Sequence, residues 1–596
     1  MDGAGGAGIV PGVEKSVCGR RWVVREADPG AVGTLAAGLG LPEIVARLLA
    51  QRGVDLDAAP LFLAPRLREQ LPDPRHLIDM NKAVERLLRA VRGGETVAVF
   101  GDYDVDGATS AALLLRFFAA VGARARVYVP DRQREGYGPN APALLRLREE
   151  GAAVVVTVDC GTLAYDALAA AAEAGLDVVV VDHHVAAPLL PQAVAILNPN
   201  RLDETSPHGA LAAVGVAFLL AVALNRALRE AGWYSGGRAE PDLLQWLDLV
   251  ALGTVADVVP LTGLNRALVA QGIKVARRAG NCGLAALASV ARIGEPISAY
   301  HLGFVLGPRV NAGGRVGAAD LGARLLSTED AALAADLARR LDEHNRERRE
   351  IEARTVAAAI EAVEAAPQSP SLAFAAAEGW HPGVIGIVAA RLKERYGRPA
   401  CVVALNNGIG KGSGRSVEGL ALGPAVIAAR QAGLLIDGGG HAMAAGFTVA
   451  AEQLEGLREF LAQRLGDGRG REPLEPRLVI DGALSLAAAQ SGLIDHLDRL
   501  APFGAGNPEP RFIFRGVQVA AVAPVGGSHL RCRLAEPLGD AKLDAIAFRV
   551  ADTPLGRFLG ETRGAAIHLA GHLRRDTWRG GEQVQLVIDD AAPAAG

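Results

Sequence analysis

Three short apolar runs without polar alternation stand out in the first half of the chain: Val97–Phe100, Val154–Val158 and Val178–Val181. A run of this kind is typical of a strand that is buried on both faces of a parallel sheet. Two Ala/Leu-rich stretches with helical spacing separate the runs, at Ala108–Val121 and Leu163–Gly175. The order strand, helix, strand, helix, strand predicts a doubly wound α/β domain.

A long stretch, Thr328–Ala366, contains neither Pro nor Gly and predicts a single helix that Ser327 caps. If continuous, this helix could extend about 50–60 Å. Its middle, Arg339–Arg354, carries charges of both signs. Because the acids nearly match the arginines, the pattern favours a solvated helix that connects two lobes. The alternative is a basic helix that grips nucleic acid.

The second half of the chain predicts two further domains. Runs at Leu372–Ala375, Cys401–Leu405 and Phe447–Val449 surround a helical stretch, Ile385–Glu394, and indicate a second α/β domain. A Pro- and Gly-rich loop, Ala501–Pro510, then marks a boundary. Beyond it, five short apolar runs at regular spacing predict a small all-β barrel. These runs are Phe512–Phe514, Val517–Val522, Ala545–Val550, Ala566–Leu573 and Gln583–Ile588.

These patterns divide the chain into five predicted segments. They are an N-terminal segment (1–75), the doubly wound domain (76–285), a helical region with the connecting helix (286–366), the second α/β domain (367–470) and the barrel domain with its linker (471–596).

The composition of the 596 residues narrows the class of protein. Hydrophobic residues make up 50% and charged residues 21%, which excludes wholesale disorder. The 5 cysteines lie far apart without a CxxC pair, which argues against a disulfide framework or a structural zinc site. We expect a cytoplasmic protein without a membrane partner, since no signal peptide and no apolar run of about 20 residues is evident. The net charge is −4, so the protein as a whole does not attract nucleic acid. Any nucleic-acid contact has to come from local basic patches.

Acidic and imidazole side chains follow each of the three predicted strands. The sequence GDYDVDG follows the first strand, DCG the second and DHH the third. In an open α/β sheet the carboxyl ends of the strands line the ligand crevice, so these side chains should converge there. Clustered aspartates repel one another unless cations lie among them. Carboxylates with imidazoles suit Mn²⁺ or Mg²⁺, and the histidines favour Mn²⁺.

A simpler interpretation exists for single members of this group. A lone Asp after a strand usually caps the next helix, and Asp106 and Asp159 are both open to that role. DYDVDG also resembles a calcium loop, but Leu113 stands where that loop needs a ligand Glu. The coincidence of three such strand ends favours the metal site.

Four motifs resemble, in order, those of the DHH phosphoesterase superfamily: GDYDVDGATSAALL, VTVDCGT, VVVDHH and GTVADVVPL. Four further segments resemble the bacterial 5′→3′ exonucleases specific for single-stranded DNA within that superfamily: GPRVNAGGR, GWHPGVIGIVAARL, GSGRS and GGGHAMAAGF. The C-terminal WRGGEQVQLVIDD resembles the closing strand of that family's OB-fold. The resemblance spans nearly everything from about residue 76 to 590. It implies a DHH domain, a DHHA1-type phosphate-binding domain and a C-terminal OB-fold barrel.

The resemblance also implies roles for individual side chains. It places metal ligands at Asp104, Asp106, Asp159, His183 and Asp257, and catalytic roles at Asp102, Asp159 and His184. Many members of the superfamily have a ligand His where this chain has Phe100, so water or substrate must complete the shell of one metal.

The resemblance also implies substrate contacts in several segments of the chain. Contacts to the DNA strand or its 5′ phosphate fall on Arg132, Arg309, Asn311, Arg315, His381, Ser413, Arg415 and His441. For His381 a role as a satisfied core histidine stays open. GIGKGSGRS and GGGH predict flexible backbone that approaches an anion, with a plain turn as the alternative. Trp578, between Arg575 and Arg579, is the candidate for base stacking in the OB-fold.

The function that the resemblance implies is metal-dependent hydrolysis of single-stranded DNA from its 5′ end to mononucleotides, in DNA repair and recombination. Two cations a few ångströms apart could bind the phosphodiester, lower the pKa of a water and stabilise the departing 3′ oxygen. A single-strand-binding protein and a helicase are partners that the family suggests. Two alternatives stay open: a DHH phosphodiesterase of short oligonucleotides or small nucleotides, and a non-catalytic replication scaffold with the DHH fold.

Overall fold

The computed structural model describes residues 13–132, 134–366, 369–467, 476–576 and 583–594. These residues form two compact units. One is Leu67–Glu472, and the other joins the described parts of Met1–Arg66 and Pro473–Gly596. The division into five segments stays a prediction.

The chain begins with elements that belong to the second of these units. They are β1 (Arg21–Val24), α1 (Pro29–Leu39), α2 (Glu43–Ala50) and α3 (Ala59–Leu63). Strand β1 pairs in parallel with a strand near residue 480, and Leu35, Leu48 and Leu49 pack in one apolar cluster with Phe512 and Phe514. The N-terminal segment therefore shares a core with the C-terminal domain.

The doubly wound domain follows, and its sheet confirms the predicted fold. Its elements are α4 (Leu67–Gln70), α5 (Met80–Gly93), β2 (Thr96–Gly101), α6 (Val105–Ala120), β3 (Arg124–Tyr128), α7 (Ala141–Glu149), β4 (Ala152–Val158), α8 (Tyr165–Glu173), β5 (Asp177–Val181), β6 (Ala195–Leu197), α9 (Ala213–Glu230), α10 (Leu247–Ala256), α11 (Gly263–Ala276), α12 (Cys282–Val290), α13 (Gly307–Val316) and α14 (Leu321–Ser327). The five strands are parallel, in the order β3-β2-β4-β5-β6. The three predicted strands, β2, β4 and β5, lie side by side, so their carboxyl ends meet.

The predicted long helix is continuous as α15 (Ala331–Ala365). Its cap is Asp330, whose carboxylate accepts hydrogen bonds from the backbone N–H groups of Ala332 and Leu333. Ser327 ends α14, so the prediction that it caps this helix is wrong. The prediction of a solvated helix is also wrong for one face, because a stripe that includes Leu341, Asn345 and Arg348 is buried.

The second α/β domain contains β7 (Ala373–Glu378), α16 (Ile385–Tyr396), β8 (Ala400–Asn406), β9 (Ile409–Arg415), α17 (Leu422–Gln431), β10 (Asp437–Gly440), β11 (Ala444–Ala450) and α18 (Leu454–Asp467). Its sheet has the order β10-β11-β9-β8-β7. GIGKGSGRS is not a flexible loop, because most of it is strand β9, paired with β8 and β11. The three glycines Gly410, Gly412 and Gly414 are buried on one face of β9, and Ser413 and Arg415 alternate with them.

Sterics explain the glycines of β9. A β-carbon at Gly412 would overlap the ring of Phe447, and one at Gly414 would lie 3.0 Å from Sγ of Cys401. We therefore expect Gly412→Ala to lower the free energy of unfolding by about 1–3 kcal/mol through overpacking. The matched control is Gly446→Ala on the adjacent strand, where a β-carbon meets nothing within 4 Å. Equal urea midpoints for the two variants would contradict this explanation.

The C-terminal domain contains a closed barrel. Its elements are β12 (Arg477–Ile480), β13 (Gly482–Leu484), α19 (Ser491–Asp498), β14 (Phe512–Val525), β15 (His529–Ala535), β16 (Lys542–Ala547), α20 (Pro554–Glu561), β17 (Ala566–Arg575) and β18 (Val584–Pro593). Five strands follow one another as β14-β15-β16-β18-β17, and β14 also pairs with β17 to close the barrel. The first two predicted runs form the single strand β14, and β15 was not predicted.

No helix in the described part of the chain has the length and apolar character needed to cross a membrane.

Candidate active site

The first acidic motif is a tight turn between β2 and α6. Asp102 directly follows β2, and Asp104 is the N-cap of α6, where its carboxylate accepts a hydrogen bond from the Gly107 N–H at 3.1 Å. A β-carbon at Gly107 would overlap the backbone of Asp102, so only glycine lets the turn close. The turn brings the carboxylates of Asp102 and Asp104 to the same end of the sheet.

Asp106, on the first turn of α6, contacts the start of a different helix. Its carboxylate accepts hydrogen bonds from the N–H groups of Ala213 (2.6 Å) and Val214 (2.9 Å), which begin α9. Gly253 of α10 faces the same group, and a β-carbon there would lie 3.0 Å from Oδ1 of Asp106. The partial positive charge of the α9 N-terminus stabilises the buried carboxylate.

Asp159 directly follows β4 and has a left-handed backbone, at φ 62°. It does not cap α8, whose N-cap is Ala164. Its carbonyl oxygen accepts a hydrogen bond from the hydroxyl of Tyr137 at 2.9 Å, and its N–H donates to the carbonyl of Val181 at 3.0 Å. These bonds hold the backbone in its unusual conformation and direct the side chain towards β5.

His183, which follows β5, lies at the centre of the acidic residues. Its Nε2 is 3.3 Å from Oδ1 of Asp159, 3.7 Å from Oδ2 of Asp257 and 3.9 Å from Oδ2 of Asp106. Asp257 comes from the C-terminal end of α10. Residues from four separate segments of the chain therefore meet at one imidazole.

Within this cluster, three groups could each hold a metal ion, since their ligand atoms lie within 4.8 Å of one another. The groups are Asp102–Asp104–Asp159, Asp106–His183–Asp257 and Asp159–His183–His184. Because the groups share Asp159 and His183, two cations could lie next to each other. All residues predicted as metal ligands or catalytic groups belong to the cluster.

Electrostatics favour cations at this position. Burial, together with the charges of Asp104 and Asp257, raises the pKa of Asp106 to about 7, and burial with the charge of Asp104 raises that of Asp257 to about 7. Burial and neighbouring carboxylates also raise the pKa values of Asp102 and Asp159 well above the ordinary value. Oδ1 of Asp102 is buried without a hydrogen-bond partner among the described residues. A buried, mutually repelling set of oxygen donors with an imidazole fits Mn²⁺ or Mg²⁺.

Hydrogen bonds behind the cluster orient the two histidines. Asp182 accepts a hydrogen bond from Nδ1 of His184 at 2.8 Å. Burial lowers the pKa of His184, but this hydrogen bond and the charge of Asp182 outweigh it and raise the pKa to about 8. The side chains of Asn198 and Asn200 donate to the carbonyls of His184 (2.8 Å) and His183 (2.6 Å). The sequence NPN, which directly follows β6, carries no pattern that predicts this role.

A second group of residues is basic. Arg315 donates to the carbonyl of Gly383 at 3.0 Å, and Arg415 donates to Oγ of Ser413 at 3.1 Å. Burial and the charges of Arg132 and Arg348 lower the pKa of Arg315 to about 10, and burial and the charge of Arg132 lower that of Arg415. Like charges that lower one another's pKa in this way mark a place where an anion would be stabilised.

This basic group is linked to the acidic cluster through Tyr103. The guanidinium of Arg132 lies 4.9 Å from the centroid of the Tyr103 ring, and Tyr103 stands between Asp102 and Asp104. A β-carbon at Gly386, on the first turn of α16, would lie 3.1 Å from Nη2 of Arg415. The N-terminal end of α16 therefore adds a partial positive charge beside the guanidinium. Neither Tyr103 nor α16 was predicted to take part.

The other predicted substrate residues lie in different settings. Arg309 is ion-paired through Nε with Asp342 of α15 at 2.8 Å, and its contact to DNA stays a prediction. Nδ1 of His381 accepts a hydrogen bond from the Gly383 N–H at 3.0 Å. Asn311 is half-buried on α13, and His441 is exposed between β10 and β11. Trp578 lies outside the described residues.

Phe100 is fully buried and packs against Tyr128, with ring centroids 5.2 Å apart. It belongs to an apolar cluster with residues of α7 and α8. Phe100, which stands where many members of the superfamily have a ligand His, therefore fills the core. A metal in the acidic cluster has to be held by the other described residues and by water or substrate.

Three protein-family models match the domains described above. The model of the DHH family, N-terminal domain, matches residues 96–254, that of the DHHA1 domain 369–467 and that of the RecJ OB domain 480–590. The single-stranded-DNA-specific exonuclease RecJ of Dickeya dadantii (strain 3937) is 40% identical over 566 residues, or 93% of this chain and 96% of that protein.

Two solved structures resemble the whole chain. The crystal structure of RecJ in complex with Mn²⁺ from Thermus thermophilus superposes with a TM-score of 0.79 at 29% identity, covering 96% of this chain and 80% of that one. The structure of RecJ in complex with Mg²⁺ from the same organism gives 0.73 at 28% identity, covering 96% and 79%. The chain belongs to the RecJ family of single-stranded-DNA-specific exonucleases.

Proposed function

We propose that this protein is a metal-dependent exonuclease that degrades single-stranded DNA from its 5′ end to mononucleotides. The observation that carries the proposal is the meeting of carboxylates from three segments, Asp106, Asp159 and Asp257, at His183. Beside this cluster, Arg132 contacts Tyr103, and its charge acts on Arg315 and Arg415. Such an arrangement suits a phosphodiester at the acidic cluster and a second phosphate at the arginines.

We assign Asp104, Asp106, Asp159, His183 and Asp257 to metal binding. When bound, Mn²⁺ or Mg²⁺ supplies Lewis-acid stabilisation of the phosphodiester and lowers the pKa of the attacking water. Asp102 lies against the same ligands, where its unpartnered oxygen orients that water. His184 is turned by Asp182 so that its second ring nitrogen can meet a phosphate oxygen.

The direction of degradation follows from the basic group. Arg132, Arg315, Ser413 and Arg415 bind the 5′ phosphate, which positions the first phosphodiester over the acidic cluster. We assign Asn311, His381 and His441 to weaker contacts along the same DNA strand. The backbone around Gly412 contributes no free N–H groups, because its bonds belong to the sheet. The barrel, with Trp578, supplies further contacts to single-stranded DNA.

We further propose that the protein acts in DNA repair and recombination in the cytoplasm. We propose a single-strand-binding protein and a helicase as partners. The helicase would generate the single strand on which the enzyme acts, and the binding protein would protect it.

The alternatives make different predictions. Phosphodiesterases of small nucleotides need no separate OB-fold, and a scaffold needs no metal ligands, whereas this chain has the barrel and every acidic motif residue. The test is to supply the protein with Mn²⁺ and a panel of a single-stranded oligonucleotide, its blunt duplex, a dinucleotide and a bisphosphate nucleotide. Release of mononucleotides from the single strand alone supports the proposal. Hydrolysis of the dinucleotide or the bisphosphate nucleotide alone would favour the phosphodiesterase. The absence of hydrolysis of any of the four substrates would favour the scaffold.

The proposed metal site predicts a pH dependence of stability. Asp106 and Asp257 have pKa values of about 7 in the metal-free protein, above those of an unfolded chain, so the folded state binds more protons between about pH 4 and pH 7. Stability of the metal-free protein should therefore fall as the pH rises through this range. Mn²⁺ competes with these protons, so the rise in Tm that Mn²⁺ causes should be larger at pH 8 than at pH 5.5. A Mn²⁺-induced shift that does not change with pH would contradict the assignment.

A further inference from the structure

Two aromatic side chains lie on the surface of the unit Leu67–Glu472 and do not pack into its core. Tyr300 is 62% exposed and Phe304 is 71% exposed, and they are the most exposed aromatic residues in the described part of the chain. Their rings are stacked, with centroids 5.5 Å apart and planes at 28°. The stacked pair leaves aromatic surface exposed to solvent, and such a surface often belongs to a binding site.

The backbone beneath the pair is unusual. Tyr300 precedes a π-helical turn, His301–Leu306, which contains Phe304 and leads into α13. π-Helical turns are rare and are often found at functional sites. The turn aligns two bulky rings on the outside while the buried side chains of Leu302 and Leu306 anchor it in the core.

The π-helical turn lies against the end of α10. A β-carbon at Gly303 would lie 3.1 Å from Cγ1 of Val255, and one at Gly307 would lie 3.3 Å from Cβ of Ala256. Val255 and Ala256 directly precede Asp257, whose carboxylate belongs to the acidic cluster. The two glycines therefore fix the aromatic pair beside the helix end that carries a proposed metal ligand.

We infer that Tyr300 and Phe304 stack on a base of the DNA strand and position it beside the Asp257 side of the cluster. This inference rests on the proposed function, since it names a substrate contact of the same site. Aromatic faces bind bases of any sequence, which suits an enzyme that has to accept every base of a strand. The position beside a proposed metal ligand favours DNA over a protein partner, which would also cover an exposed apolar pair.

The test combines four variants with an abasic scan. Tyr300→Leu and Phe304→Leu keep apolar bulk but remove the π-face, and the matched controls Tyr300→Phe and Phe304→Tyr keep it. Each protein is titrated with a 5′-phosphorylated single-stranded oligonucleotide, and Kd is read by fluorescence anisotropy with Ca²⁺ in place of Mn²⁺. KM and kcat are then measured with Mn²⁺. The same oligonucleotide is made with an abasic site at each of its first several positions in turn.

We expect the Leu variants to bind about tenfold or more weakly, with the change in KM rather than kcat, and the controls to match the wild type. An abasic site at the stacked position should weaken the wild type by a similar factor and leave the Leu variants unchanged. Unaltered Kd in the Leu variants, or the same abasic profile in all proteins, would overturn the inference and favour a protein partner at this surface. Base-dependent binding without release of nucleotide would support the inference and contradict the proposed function. The experiment therefore distinguishes failure of the stacking inference from failure of the proposed function.

Discussion

The Asp159→Asn variant should lose about 10²–10³-fold or more of its exonuclease activity while remaining folded. Asp159 belongs to two of the three possible metal groups, and its carboxylate lies 3.3 Å from His183. Asn has almost the same shape and tolerates the left-handed backbone at this position, where φ is 62°. The substitution therefore removes the charge and leaves the backbone hydrogen bonds of Asp159 in place. Activity is measured as mononucleotide release with Mn²⁺.

Stability separates this prediction from simple damage to the fold. Removal of one charge from a buried, mutually repelling group should leave the metal-free Tm unchanged or raise it, whereas the Mn²⁺-induced rise in Tm should shrink. The control is Asp166→Asn, an exposed residue of the following helix α8, which should behave like the wild type. Full activity of Asp159→Asn would contradict the assignment of the site.

The Arg415→Ala variant is expected to lose most of its preference for a 5′ phosphate. A charge-assisted hydrogen bond to an ion is worth about 1.5–3 kcal/mol, so the ratio of kcat/KM for 5′-phosphorylated over 5′-hydroxyl DNA should fall by about 10–100-fold. The loss should come from the phosphorylated substrate, because only that substrate contacts the guanidinium.

A matched control is available in the same domain. Arg430→Ala removes an exposed arginine that pairs with Asp437 at 3.4 Å, and it should leave the ratio unchanged. If Arg415→Ala lowered the rate on both substrates by the same factor, Arg415 would be a general contact to the strand and not a 5′-phosphate contact.

Much of the acidic cluster could be predicted from sequence, because most of its residues directly follow strands that are recognisable from the local sequence pattern. The strands β2, β4 and β5 are continuous apolar runs, and the acidic residues follow them directly, so sheet topology alone brings Asp102, Asp159 and His183 together. Asp257 was found only through the family resemblance. It lies at the end of a helix, and no local pattern shows that this helix end reaches the sheet.

Contacts between distant segments could not be predicted from the sequence. Arg309 pairs with Asp342 of α15, and no local pattern places the two side by side, while its contact to DNA stays a prediction. The hydroxyl of Tyr137 and the amide of Asn200 support the site across loops, and such hydrogen bonds leave no periodic signal. The strand β9 carried a signal that was misinterpreted, since strict alternation of Gly with polar residues has the period of a strand.

End-labelled DNA shows directly whether this protein degrades a single strand from its 5′ end with the help of a bound metal. A single-stranded oligonucleotide is labelled at its 5′ end in one reaction and at its 3′ end in another, and both are incubated with the protein and Mn²⁺ or with a chelator. We expect immediate release of the 5′ label as a mononucleotide, late release of the 3′ label and no release of either label with the chelator. Early release of the 3′ label, or release that persists in the chelator, would contradict this expectation.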